Sequence, residues 1–86
     1  MDRTAVATEI RSFLAHESNL PDSLLGDDTD LFGEGILDSL MAVSLIAFCE
    51  EKFGCRLNGA DFSEQDMRTI ASLAKIIADT RNGSGV

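Results

Sequence analysis

From Leu40 to Cys49 the chain carries one polar residue, Ser44, and this run limits what the sequence can fold into more than any other stretch. At 100° per residue its side chains sort into faces, as a helix requires, and show no strand-like alternation. The spacing predicts a helix over Ser39–Phe53, with Gly54 as its C-terminal stop. Ala42, Leu45, Ile46, Cys49 and Phe53 form one continuous stripe, expected to face the core. Leu40, Ser44, Ala47 and Glu51 lie opposite, with Met41 and Phe48 on one flank and Val43 and Glu50 on the other. A helix apolar nearly all round is either wholly buried or offers its spare face to a partner.

The remaining elements follow from the same periodicity. A first helix is expected from Arg3 to His16, capped by Asp2 or Thr4, with Val6, Ile10, Phe13 and Leu14 on its inner stripe. Glu17 to Asp38 shows no helical period and is long for a connection in a small domain. Its Leu20, Leu24, Leu25, Leu31, Phe32, Ile36 and Leu37 are too apolar for a free linker. The segment is therefore expected to fold over the helices, with one helical turn near Asp22–Leu25 and with Phe48 tucked beneath it. Asn58 to Asp66 reads as a short helix or turn, with Phe62 and Met67 as plugs. A last helix begins near Thr69, with Ile70, Leu73, Ala74 and Ile77 inward, and Asn82–Val86 reads as a disordered tail. The expectation is an all-α bundle of three main helices, one short helix and a long first loop, with residues 1–81 as one domain.

Charge narrows the function. The 86 residues carry 15 Asp and Glu against 7 Lys and Arg, a formal net charge of −8. Such a surface repels nucleic-acid backbones and anionic lipid, and suits a domain that docks on basic patches of other proteins. Cys49 and Cys55 fit buried thiols in a reducing compartment. His16 is the only histidine and has no partner at metal-site spacing, so no metal site is expected. The sequence shows neither a secretory signal nor an apolar run near the ~20 residues of a membrane span. A cytoplasmic monomer is expected.

Catalysis needs a nucleophile, a base and a group to orient them, and a single histidine with no metal set argues against an enzyme. Asp28-Thr29-Asp30-Leu31-Phe32-Gly33 resembles the start of a calcium loop, but that register sets Phe32 where an oxygen ligand belongs and Ser39 where the bidentate glutamate belongs. Ser39 is the residue of interest. At a helix start it can be an N-cap, a loop residue or a phosphorylation site. It can equally carry a tethered anionic group, which the free N–H groups of the first turn would favour. Asp38 can favour the helix dipole or help hold a metal ion during transfer of such a group, and Leu40 can shape the apolar contact around it.

The wider pattern resembles a known family. Asp30-Leu31-Phe32, then Gly35-Ile36-Leu37-Asp38-Ser39-Leu40, then Glu50-Glu51-Lys52-Phe53-Gly54, and finally Phe62 with Thr69-Ile70-Ala71-Ser72-Leu73, are similar to the acyl and peptidyl carrier proteins. The resemblance implies a four-helix carrier without catalytic activity. In it Ser39 receives 4′-phosphopantetheine from coenzyme A through a magnesium-dependent phosphopantetheinyl transferase. Asp38 and Leu40 flank the attachment point, and the arm's thiol holds an acyl or aminoacyl thioester. An adenylating loading enzyme and a downstream transferase or synthase complete the implied partners. Leu40, Met41, Ser44, Ala47 and Glu51 form the expected docking face. Acid appears on this helix only at Glu50 and Glu51, unlike the markedly acidic helix of fatty-acid carriers. The lead-in is closer to free-standing carriers of D-alanine or of natural-product pathways, and the chain reads as a discrete unit. The competing reading is an acidic interaction module that carries nothing. It differs in predicting that Ser39→Ala leaves function intact.

Overall fold

Asp2 starts the first helix. Its Oδ1 accepts the Ala5 N–H at 2.8 Å, filling one of the donors that a helix start leaves unpaired. The computed structural model describes residues 2–57 and 63–83. Within them lie α1 (Arg3–Ser18), α2 (Ser39–Phe53), α3 (Glu64–Met67) and α4 (Ile70–Gly83), with a single 3₁₀ turn over Asp22–Leu24. No strand occurs among the described residues, and the architecture is an all-α bundle, as expected.

α1 runs two residues beyond the expected end at His16, because Asn19 takes the left-handed conformation (φ 56°) and donates its N–H to the Ala15 carbonyl. Its Val6, Ala7, Ile10 and Leu14 are buried and pack mainly on α4, where Ile70, Leu73, Ala74, Ile77 and Ala78 are buried in turn. α2 touches both less extensively. Leu45, Cys49 and Phe53 are its buried residues, with Ala42 and Ile46 at the margin of the core, as the stripe predicts. Gly54 ends it with φ 65°, a conformation that costs a side-chain-bearing residue roughly 1–2 kcal/mol.

Phe48 is not beneath the long loop. It stacks on Phe13 of α1, with ring centroids 4.3 Å apart at 19°, and meets the edge of Phe53 at 6.3 Å. The cause is its azimuth on α2, which faces the α1 side, while the loop supplies its own apolar anchors. Of the expected Asn58–Asp66 region, Asn58–Phe62 lie outside the described residues, Phe62 included, and a short helix, Glu64–Met67, begins after Ser63 and runs one residue past Asp66. Met67 is a buried plug. The last helix starts at Ile70, and Thr69 caps it by accepting the Ser72 N–H on its hydroxyl. α4 continues to Gly83, so Asn82 and Gly83 of the expected tail are helical, and Ser84–Val86 lie outside the described residues.

The loop between α1 and α2 folds onto the bundle through Leu25, Leu31 and Leu37, which are buried, although Leu24 stays exposed. Arg11 of α1 holds its first half, donating to the Leu25 carbonyl at 2.8 Å and pairing with Asp27. Arg68 holds its middle. That guanidinium donates to both Asp30 oxygens at 2.8 and 3.0 Å and to Glu64 at 3.2 Å, and it lies over the Phe32 ring. The Leu31 N–H meanwhile donates to the Arg68 carbonyl at 2.8 Å.

The Gly33 N–H and the Arg68 guanidinium together hold the Asp30 carboxyl below its ordinary value of 3.8. A depressed carboxyl stabilises the fold in full above its unfolded value and loses that contribution as pH falls through the folded one. Stability should therefore drop as acid passes below pH 3.8, and Asp30→Asn should flatten that part of the curve in urea titrations repeated across pH.

Cys49 is fully buried and Cys55 nearly so. Burial, reinforced by Cys55 and Glu50, pushes the Cys49 thiol up to about 12. The thiolate is the nucleophile, so iodoacetamide at pH 8 should leave the unmodified native chain unlabelled and label two sites once it is unfolded, as read by mass.

Candidate cofactor-attachment site

Ser39 is the first residue inside α2, not its cap. The cap is Asp38, whose backbone is extended (φ −128°, ψ −174°) and whose Oδ1 accepts the Met41 N–H at 2.8 Å. The Asp38 carbonyl takes the Ala42 N–H at 2.8 Å. One plain reading of Ser39, as N-cap, is therefore filled by its neighbour. The Ser39 side chain is exposed and makes no hydrogen bond among the described residues. The N–H groups of Ser39 and Leu40 have no acceptor within the helix and none elsewhere among the described residues. Two donors at the positive end of a helix dipole thus flank an open hydroxyl.

The chain entering α2 is fixed. Leu37 is 3 % exposed, and the N–H groups of Ile36 and Leu37 both donate to the Leu31 carbonyl at 2.9 Å. Gly35 makes this return possible with φ 75°, a backbone that other residues reach only with strain. Leu31 is itself tied to Arg68, so Ser39 stands two residues beyond a buried anchor that is connected to the rest of the fold.

Around Ser39 the expected face is only partly as predicted. Leu40 is 79 % exposed, and Ser44, Ala47 and Glu51 are exposed, whereas Met41 is half-buried against the core. Val43, assigned by azimuth to a flank, is 64 % exposed. The open apolar seam is therefore Leu40–Val43–Ala47. The signal for Val43 was in its spacing, three residues after Leu40 and four before Ala47. Beside Ser39 lies an open recess of about 240 Å³, lined by Glu17, Ile36, Asp38, Leu40, Met41 and Ser44. Among the described residues no group of three His, Cys, Asp or Glu is arranged to hold a metal, and no helix is long and apolar enough to cross a membrane.

Comparison with known proteins shows what kind of chain this is. A family profile described as a phosphopantetheine attachment site matches residues 8–77. The chain belongs to the phosphopantetheine-binding carrier family. Curated relatives include the D-alanyl carrier proteins of Streptococcus sanguinis and Streptococcus gordonii, each 34 % identical over 55 residues, which is 64 % of this chain and 70 % of theirs. The D-alanyl carrier protein of Streptococcus uberis is 33 % identical over the same length. No solved structure matches significantly.

Phosphopantetheine-binding carriers hold 4′-phosphopantetheine covalently on a serine, are not themselves catalysts, and work with a phosphopantetheinyl transferase and loading enzymes. When bound, the group supplies reach and a terminal thiol that holds cargo as a thioester. Ser39 fits it: the hydroxyl is open, the Ser39 and Leu40 N–H groups can take phosphate oxygens, and the neighbouring recess leaves room for the arm.

Proposed function

We propose that Ser39 carries the 4′-phosphopantetheine arm, and that the chain is an aminoacyl carrier passing its cargo from an adenylating enzyme to a downstream transferase. The observation that carries the assignment is the exposed, unbonded Ser39 hydroxyl at the start of α2, inside the matched region, with Asp38 already supplying the cap. In the transfer, Ser39 Oγ attacks the pantetheine-bearing phosphorus of coenzyme A. A phosphodiester forms, the pyrophosphate bond breaks, adenosine 3′,5′-bisphosphate leaves, and the serine proton passes to the transferase. Asp38 commits Oδ1 to Met41, and Oδ2 can hold the magnesium ion that the transferase uses.

The aminoacyl cargo is favoured by relatives named as D-alanyl carriers. The docking face comprises Leu40, Ser44, Ala47 and Glu51 with the edge of Met41, extended by Val43. Its apolar seam would bury on a partner, while the chain's net charge of −8 steers approach to a basic surface. A cytoplasmic monomer, with a carrier unit reaching at least residue 81, completes the reading.

The test is incubation with a broad-specificity phosphopantetheinyl transferase, coenzyme A and magnesium, followed by intact mass and peptide fragmentation. One phosphopantetheine on the Ser39 peptide is expected. Modification at Ser44, or none on a folded chain beside a control carrier that is modified, overturns the assignment.

A further inference from the structure

Two recesses open along α2, one near its start and one near its end. The first is the one beside Ser39, with Leu40, Met41 and Ser44 on its α2 wall and Glu17 on its α1 wall. The second, of about 380 Å³, is lined among the described residues by Phe48, Glu51 and Lys52, all on α2. α1 runs antiparallel to α2 along this seam: Phe13 stacks on Phe48, and Glu9 pairs with Lys52 at 3.6 Å. Ser44, Phe48 and Glu51 fall within about 60° of one another around α2 and so make one track.

We propose that the loaded arm lies along this α1–α2 seam and seats its aminoacyl end in the Phe48–Glu51–Lys52 recess, with the cargo's ammonium paired to Glu51. The inference rests on Ser39 as the attachment point. Length supports it. At the helical rise, Phe48 and Glu51 stand about 14 and about 18 Å along the axis from Ser39. Roughly fourteen bonds separate Ser39 Oγ from the arm's sulfur, worth about 16 Å of extended chain, and the aminoacyl group adds the rest. The Glu51 side chain also leans back towards the helix N-terminus, over the recess.

The chemistry of the track suits each part of the arm. Ile36, Leu40 and Met41 offer apolar contact to the dimethyl branch, and the exposed Ser44 hydroxyl is free for an arm amide. At the far end the cation of the recess is already engaged, because Lys52 pairs with Glu9, whereas Glu51 has no ion pair among the described residues. An unengaged carboxylate beside an aromatic ring suits a small group that carries a positive charge, and it disfavours an anionic acyl group such as a dicarboxylate half-thioester. With the arm in this seam, Val43 and Ala47 stay open to a partner.

The test uses ¹⁵N-labelled chain modified at Ser39 with stable arms ending in alanyl amide or propionyl amide, which differ by the ammonium. Intact mass is read first, and absence of the arm from Ser39 overturns the carrier reading and this arrangement with it. With the arm in place, the alanyl form should shift the amides of Phe48, Glu51 and Lys52 and give a methyl-to-Phe48 ring NOE. The propionyl form should leave Glu51 unshifted, and Glu51→Gln should abolish the difference between the two arms. Coincident alanyl and propionyl spectra over residues 47–52, or arm contacts at Leu45 and Ile46, overturn this seating while leaving Ser39 as the attachment point.

Discussion

Phe53→Ala should remove about 3–5 kcal/mol of stability, the usual cost of deleting a buried ring and leaving its cavity. For a chain of this size the whole of folding stability is about 4–13 kcal/mol, so a large part of it rests on one side chain. Phe53 is 1 % exposed and takes the edge contact of Phe48, which in turn stacks on Phe13. Its loss therefore opens the core where α2 meets α1. Urea titration followed by circular dichroism measures the change. Phe53→Leu, which keeps most of the volume, should cost under about 1.5 kcal/mol. A similar loss in both variants would mean that the ring's contacts contribute little.

Ser39→Ala should abolish phosphopantetheine attachment completely while leaving stability within about 0.5 kcal/mol of the parent. The two effects separate because the helix start is held by its neighbour. Asp38 accepts the Met41 N–H at 2.8 Å, whereas the Ser39 hydroxyl holds nothing. Asp38→Ala is the companion variant and should lose about 1 kcal/mol, the typical worth of a cap. Intact mass and denaturant midpoints, measured on both variants, test the division. A Ser39→Ala chain destabilised as much as Asp38→Ala would show the serine to be structural, and residual modification would put the arm elsewhere.

Much of the fold was legible because helices announce themselves. The inner stripes of α1, α2 and α4 repeat at 3.6 residues, and Gly54 marks its own stop. Contacts that join distant segments carry no such period. Nothing local in the sequence ties Asp30 to Arg68, or aims Phe48 at Phe13 rather than at the loop. At the site, the Asp38-Ser39 pair was visible but its roles were not. Aspartate and serine are comparable caps by composition, and only the backbone shows which one accepts the first-turn N–H. Met41 and Val43 exchanged their expected exposure for a related reason. Azimuth on one helix cannot say how far a neighbouring helix and the incoming loop reach around it.

The Arg68 anchor also has a consequence in time. It lies 38 residues after Asp30, so during synthesis Ser39 emerges well before the side chain that fixes the loop leading to it. Segments fold from the N-terminus as they appear, yet this loop has its middle anchor only when α3 and the start of α4 have been made. Ordering of the loop that leads to Ser39 is thus tied to completion of the fold.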